Sequence, residues 1–526
     1  MILQRIGNRG LFIGGLFEQA AQRNPDLTVT LDHVLDLDPG RGSELTVGDC
    51  ADIVARAATA LVAAGVRPGD KVAIFKQDGF DIFLLACAVS RVGAVPVNLS
   101  PALKGDVVAE LLRRCDWPYL ITDGGKFAEV LTEETKQHAR AVLLASSDGD
   151  AALRLDLDGE RNPVAPIRPD PSLPALITHT SGTTGVPKLV VHTAKTLQAR
   201  YRPQAVGARA LIRRRETVAI HVSFVHSRLV TALAIALARG FPIVIIRDPD
   251  SSHVAEILAR TKPGIIEAHP NAIVAWEPLT KDPRGPLANL NCLSTTFDAI
   301  HPRTVVELLA ASERKNPIHI QLYGQSEIGP TVGRVSTRKR GIDADWRCVG
   351  FPFAGMTGLR VVGADGKRPT EAQPGYVEIR SDGRALTYLG EDDRYRRQLT
   401  DGWWRMGDVG YRTKWGCLHL LDREVDTIAG FGSTLAIEDT VLARMDALLE
   451  IVVIADDSGV PTPVVVTRDE SPLDLAQWHA AIADLPQMRE PVQLPLAQLP
   501  RTATAKVQRL ALAKLLTATP GTGSAS

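Results

Sequence analysis

Residues 178–192 read Thr-His-Thr-Ser-Gly-Thr-Thr-Gly-Val-Pro-Lys-Leu-Val-Val-His, and no other run of the chain is as informative. Thr180, Ser181, Thr183 and Thr184 crowd hydroxyls together. Gly182 and Gly185 let the backbone bend and expose its N–H groups, and Lys188 adds a fixed positive charge. Such a loop suits an anion of several oxygens, for example a polyphosphate. It is not the Walker loop, which needs Gly-x-x-x-x-Gly-Lys followed by Ser or Thr. Flexible turns share this Ser/Thr/Gly composition, so the setting has to decide. Residues 175–177 and 189–191 are short apolar strand signals, and they hang the loop between two strands.

Ser181-Gly182-Thr183-Thr184-Gly185-Val186-Pro187-Lys188 resembles the signature of the adenylate-forming superfamily, which includes acyl- and aryl-CoA synthetases, peptide-synthetase adenylation domains and firefly luciferase. Further motifs follow in the family's order. Tyr323-Gly324-Gln325-Ser326-Glu327 resembles the second signature, with Ser326 where relatives usually have Thr. Trp404-Arg405-Met406-Gly407-Asp408-Val409-Gly410 resembles the third, and Asp422-Arg423-Glu424-Val425-Asp426 the hinge. Pro500-Arg501-Thr502-Ala503-Thr504-Ala505-Lys506-Val507-Gln508-Arg509 resembles the C-terminal lysine motif, so the likeness spans nearly the whole chain.

The resemblance implies an ATP-dependent ligase. A carboxylate is a poor electrophile because its leaving group would be oxide. Attack on the α-phosphate of ATP gives an acyl adenylate, from which AMP leaves readily. The protein must neutralise pyrophosphate, align the reactants and exclude water. On this resemblance the 180–188 loop holds the β- and γ-phosphates, Glu327 holds Mg²⁺, and Tyr323, Gly324, Gln325 and Ser326 line the nucleotide site. Asp408 accepts hydrogen bonds from the ribose hydroxyls, Arg423 sits near ribose and phosphates, and Lys506 bridges the carboxylate and the α-phosphate. Glu327 and Lys506 are the expected catalytic residues.

The family's acyl pocket falls on residues 221–228, 296–300 and 323–328, which gives His226, Arg228 and Phe297 as expected lining. Arg228 either pairs with an acidic substrate group or points to solvent at the start of a helix. Phe297 and Asp298 replace small residues beside adenine and substrate, with Asp298 counted to the nucleotide site. These departures favour a small polar or aromatic acid over a long alkyl chain. Residues 430–438 lack the usual Gly-Gly-Glu-Asn-x-x-Pro run, which leaves the acceptor open. The first reading is thioester formation with CoA. The alternatives are a carrier protein or amine as acceptor, ATP-dependent activation of nitrite to diazotise an aromatic amine, and a non-catalytic nucleotide-binding relative.

The elements that must position these residues follow from periodicity. Residues 46–121 and 216–320 alternate strand and helix signals, which implies parallel sheet with helices on its faces. From about residue 350 short strands with Gly and Asp turns read as an all-β region, and after Arg423 comes a compact α+β tail. The expected fold is therefore α/β: an N-terminal AMP-binding domain over 1–422, made of two α/β subdomains and a β subdomain, and a mobile C-terminal lid over 423–526. At 526 residues the chain exceeds one ordinary core, and 60 basic residues balance 60 acidic ones. Nucleic acid is thus not the expected partner, and no stretch is long and apolar enough for a membrane span. A monomer or homodimer is expected. The six cysteines are scattered without metal-ligand spacing and read as reduced thiols of a cytoplasmic protein.

Overall fold

The computed structural model describes residues 10–145, 154–159, 162–180, 186–296, 300–338, 347–363, 366–428, 430–456, 458–501 and 507–518. Within them the α/β alternation closes into two large sheets. The first runs Thr387–Tyr388, Leu189–Thr193, Pro174–His179, Val95–Asn98, Lys71–Ile74, Tyr119–Thr122, Ala141–Leu144, and is parallel from Pro174–His179 onward. The second has a parallel core of Thr28–Leu31, Ile243–Ile245, Val218–His221, Ile265–Ala268, Cys292–Thr295 and Ile318–Gln325. It turns antiparallel at Gly329–Thr337 and continues through Cys348–Pro352, Leu418–Arg423, Trp403–Arg412, Gly375–Ser381 and Thr357–Val362. The β region expected after residue 350 is thus an extension of the second α/β sheet.

Helix Asp81–Arg91 reads Asp-Ile-Phe-Leu-Leu-Ala-Cys-Ala-Val-Ser-Arg and is buried at every position. A helix that is apolar nearly all round has no solvent face to offer, so it belongs between layers. Its residues join those of both sheets in one continuous core that also takes in helix Val47–Ala63. Thr46 caps that second helix with a reciprocal Thr46–Asp49 box. Residues 434–518 gather around their own small sheet of Leu448–Ala455, Pro461–Thr467 and Val492–Gln493, with separate apolar clusters on its two sides. Among the described residues no helix is long and apolar enough to cross a membrane.

The cysteine expectation needs correction. Cys348 and Cys417 are joined as a disulfide, with Cα atoms 6.3 Å apart across a sequence separation of 69. Cys50, Cys87, Cys115 and Cys292 are buried free thiols. Sequence spacing missed the pair because Cys348 lies on one strand and Cys417 just before the neighbouring strand Leu418–Arg423, not on one local motif.

Burial holds the imidazoles of His179, His192, His221 and His301 below their usual value and takes His319 down to about 3. The folded chain thus holds these rings neutral to lower pH than the unfolded chain, which protonates them near their ordinary value of about 6.5. Their stabilisation is therefore complete above that pH and is lost as pH falls below it. For His319, whose folded value is about 3, unfolding free energy measured by urea titration should drop between pH 7.5 and 5.5 by about 1.4 kcal/mol. His319→Gln, whose parent ring meets Thr295 Oγ1 at 2.8 Å, should flatten the decline by that amount. An unchanged pH slope would show that His319 does not contribute.

Candidate active site

The hydroxyl-rich loop leaves strand Pro174–His179 and returns into Leu189–Thr193, and its ends are tied together. Thr180 N donates to Lys188 O at 3.0 Å, and Lys188 N donates to Thr180 Oγ1 at 3.2 Å. Ser181, Gly182, Thr183, Thr184 and Gly185 lie outside the described residues, as do Phe297, Asp298 and Lys506.

Lys188 points at the second signature. Its Nζ is 3.3 Å from Glu327 Oε1 and 3.2 Å from Tyr388 OH, and Tyr388 donates to the same Glu327 oxygen at 2.5 Å. Glu327 is 6 % exposed and Tyr388 1 %. Burial and the adjacent Glu327 carboxylate push the Tyr388 phenol far up, so it stays protonated and acts as donor. A buried carboxylate needs such partners. This one keeps a hard, anionic oxygen donor beside the phosphate-type loop, which is the ligand chemistry Mg²⁺ requires.

The other end of the site is built on the ladder between Trp403–Arg412 and Leu418–Arg423, where Asp408 and Arg423 are paired residues. Arg423 Nε lies 3.2 Å from Asp408 Oδ1, and Tyr323 OH donates to Asp408 Oδ2. Tyr323 has its phenol raised by burial and by Asp408, and so also remains a donor. Gln325 is fixed at both ends, donating to the Met406 carbonyl and accepting from Trp404 Nε1 at 3.2 Å. At Gly324 any Cβ would run into the backbone of Gly329 across the hairpin, so glycine is required there.

His226 caps helix Ser227–Arg239. Its Nδ1 accepts from Arg228 N at 3.0 Å, so Nε2 carries the proton and donates to Ser326 Oγ at 3.2 Å. His226 and Ser326 thus meet, as the sequence places them. Arg228 behaves otherwise. It neither faces solvent nor awaits an acidic substrate group: it is 6 % exposed, forks onto Glu267 with Nη2–Oε2 at 2.7 Å, and donates to Gln204 Oε1. The acidic residue lies on a neighbouring strand, Ile265–Ala268, which no local pattern reveals.

Sequence reasoning missed two residues. Tyr388 carries no motif of its own. Arg200, on helix Ala194–Leu211, is 3 % exposed and bonds Gly383 O at 2.7 Å, Ser227 Oγ at 3.2 Å and Ser326 O at 3.0 Å. It ties together the segments bearing His226 and Ser326. Burial lowers its guanidinium to about 10, still cationic at neutral pH, with Glu327 the leading opposing influence. No signal in the sequence marks either residue.

The profile of the AMP-binding enzyme family matches residues 17–389. The chain belongs to this family. It is an enzyme of the adenylate-forming superfamily, with the large N-terminal and small C-terminal architecture of its structural neighbours. It is 46 % identical to the 3-amino-2-hydroxy-4-methoxybenzoate diazotase of Streptomyces cremeus, over 98 % of this chain and 97 % of that protein. To the sulfoacetate–CoA ligase of Cupriavidus necator it is 28 % identical, over 90 % and 93 % of the two chains. Among solved structures, the anthranilate CoA ligase AuaEII in complex with anthranoyl-AMP superposes with a TM-score of 0.82 at 20 % identity, covering 97 % and 98 %. That likeness is one of fold.

Proposed function

We propose that this AMP-binding enzyme uses ATP to activate nitrite and then diazotises an aromatic amine of the aminobenzoate class. The observation that carries the reading is the 46 % identity, along almost the full length of both chains, to a diazotase. Nitrite and a carboxylate are both small planar oxyanions, so a site that aligns one with the α-phosphorus can align the other. A nitrite oxygen attacks the α-phosphate, pyrophosphate leaves, and a nitrosyl–AMP anhydride forms. The amine nitrogen attacks the nitrosyl nitrogen, AMP leaves, and the N-nitrosoamine loses water to give the diazonium ion. In total, amine, nitrite, ATP and one proton give diazonium, AMP, water and pyrophosphate, which carries that proton at neutral pH.

The chain's residues supply what these steps need. The 180–188 loop and Lys188 receive the β- and γ-phosphates. Asp408, held by Tyr323 and Arg423, offers carboxylate oxygens to the ribose hydroxyls. Lys506 offsets the charge that develops as nitrite meets the α-phosphate. Ser326, oriented by His226, stands beside the reacting groups. Glu327 holds Mg²⁺, which when bound supplies neutralisation of phosphate charge. The anhydride hydrolyses readily, so a closed site that excludes water is part of the function.

Activation of a small polar or aromatic carboxylic acid as acyl-AMP, then transfer to CoA, is the second reading. The CoA-ligase relative favours it at the lower identity of 28 %. One assay separates the two: AMP release is followed by chromatography with nitrite plus aminohydroxybenzoates, and separately with carboxylic acids plus CoA. Nitrite-dependent AMP, matched by a diazonium trapped as its azo adduct with a naphthol, is the expected result. AMP release that needs CoA and ignores nitrite would overturn the proposal.

A further inference from the structure

We infer that Cys348, Cys417 and His419 form, in the dithiol state, a binding site for a borderline-soft divalent cation such as zinc. The antiparallel ladder brings them together. Cys348 opens strand Cys348–Pro352 and is the direct cross-strand partner of His419 in Leu418–Arg423. Cys417 lies two residues before His419, and the pleat turns alternate residues to the same face. The two sulfurs and one imidazole nitrogen all lie within 4.8 Å of one another. Tetrahedral zinc, with Zn–S of about 2.3 Å and Zn–N of about 2.0–2.1 Å, sets its ligand atoms about 3.4–3.8 Å apart. Opening the disulfide and rotating the thiols reaches that spacing without moving the strands.

The surroundings fit a cation better than an isolated thiol pair. Cys417 is 6 % exposed and His419 7 %, while Cys348 is half-buried and leaves a side open to a water ligand. Around His419 there is an orienting chain of the kind metal-binding histidines use. The Tyr411 ring stacks on the imidazole at 4.9 Å, its OH stands 3.4 Å from Nδ1, and the same OH is 3.5 Å from Glu371 Oε2. Arg347 holds Glu371 at 3.0 Å. The other cysteines differ: burial raises their thiols, Cys115 and Cys292 to about 12, and among the described residues none of them belongs to a ligand cluster.

The chemistry makes the two states exclusive. A phosphine or dithiol reductant gives two electrons to the Cys348–Cys417 bond, and two protons complete two thiols. The cation then displaces both thiol protons and binds two thiolates and the imidazole. Oxidation reforms the S–S bond and leaves the cation only His419. His419 shares strand Leu418–Arg423 with Arg423, the ladder partner of Asp408, so occupancy braces the strand that carries Arg423.

The test uses the full chain reduced with a phosphine and titrated with Co²⁺. One equivalent should produce a near-ultraviolet thiolate-to-cobalt band that zinc abolishes, and the oxidised chain should show none. Cys348→Ser and Cys417→Ser should lose the band. His419→Gln should weaken binding on the order of 100-fold, and Tyr411→Phe about 10-fold, the range for lost ligand support. A reduced chain without the band, or serine variants that keep it, overturns the inference. Should the serine variants fail to fold, the native sequence decides. Zinc must slow alkylation of Cys348 and Cys417 by iodoacetamide, read by peptide mass spectrometry, and unprotected alkylation overturns the site.

Discussion

Lys506→Ala is expected to lower AMP and pyrophosphate formation by at least about 10²-fold while leaving ATP affinity within a few-fold. A donor aimed at charge that appears only in the transition state acts on the rate and not on ground-state binding. Lys506 itself lies outside the described residues, but the residues that flank 502–506 are held by named contacts. Arg501 pairs with Val507 across an antiparallel bridge, and Gln508 N donates to Pro500 O at 2.8 Å. Arg501 is anchored on Glu450, and Arg509 Nη2 on Glu438 at 2.9 Å. Anchors on both sides of residues 502–506 are what a positioning role for Lys506 requires. Lys506→Arg should not rescue the rate, because a planar fork cannot replace a point charge at one locus. Single-turnover AMP release and ATP binding by calorimetry, measured side by side, decide the matter. An alanine variant that forms AMP at near the wild-type rate would remove Lys506 from the mechanism.

Much of this arrangement could be read from local sequence. Helix Ser227–Arg239 lies in the 216–320 stretch that periodicity reads as alternating strand and helix, and the strands flanking the 180–188 loop are where the apolar triplets place them. These elements announce themselves because one face or the whole run is apolar, and the pattern is carried within a dozen residues. Helix Ala194–Leu211 does not. It contains Pro203 and buries Gln198, Arg200 and Gln204, a composition that reads as a polar connection. Those residues are satisfied by partners far along the chain, such as Gly383 and Ser326 for Arg200, so burial follows from tertiary contacts that no window contains. Arg228 and Glu267 illustrate the same limit, as do Cys348 and Cys417. Strand Thr28–Leu31 joins the second sheet through parallel pairing with Ile243–Ile245, far along the chain. The site was legible to the extent that its motifs are contiguous. Tyr388 was not, because a lone tyrosine acquires its meaning from the carboxylate it meets.

That carboxylate gives the second large effect. Glu327→Gln keeps the volume and removes the charge, and kcat/KM for ATP should fall on the order of 10²–10³-fold. The reason lies in the balance of the cluster. Lys188 Nζ at 3.3 Å and Tyr388 OH at 2.5 Å both converge on Glu327 Oε1. With the charge gone, Lys188 is left uncompensated and the site loses the hard anionic oxygen that a magnesium–phosphate complex needs. Tyr388→Phe separates the two contributions, since it deletes one hydrogen bond and leaves the charge. Its cost should be about 10-fold, the scale of one hydrogen bond to a charged group. Magnesium dependence of ATP binding, followed by calorimetry, adds a readout that a merely destabilised fold would not move: the glutamine variant should lose the magnesium-linked gain in affinity, and the phenylalanine variant should keep it. Thermal unfolding of both variants controls for stability. Equal losses in the two would mean that Glu327 serves to hold Tyr388 in place and not to hold the metal.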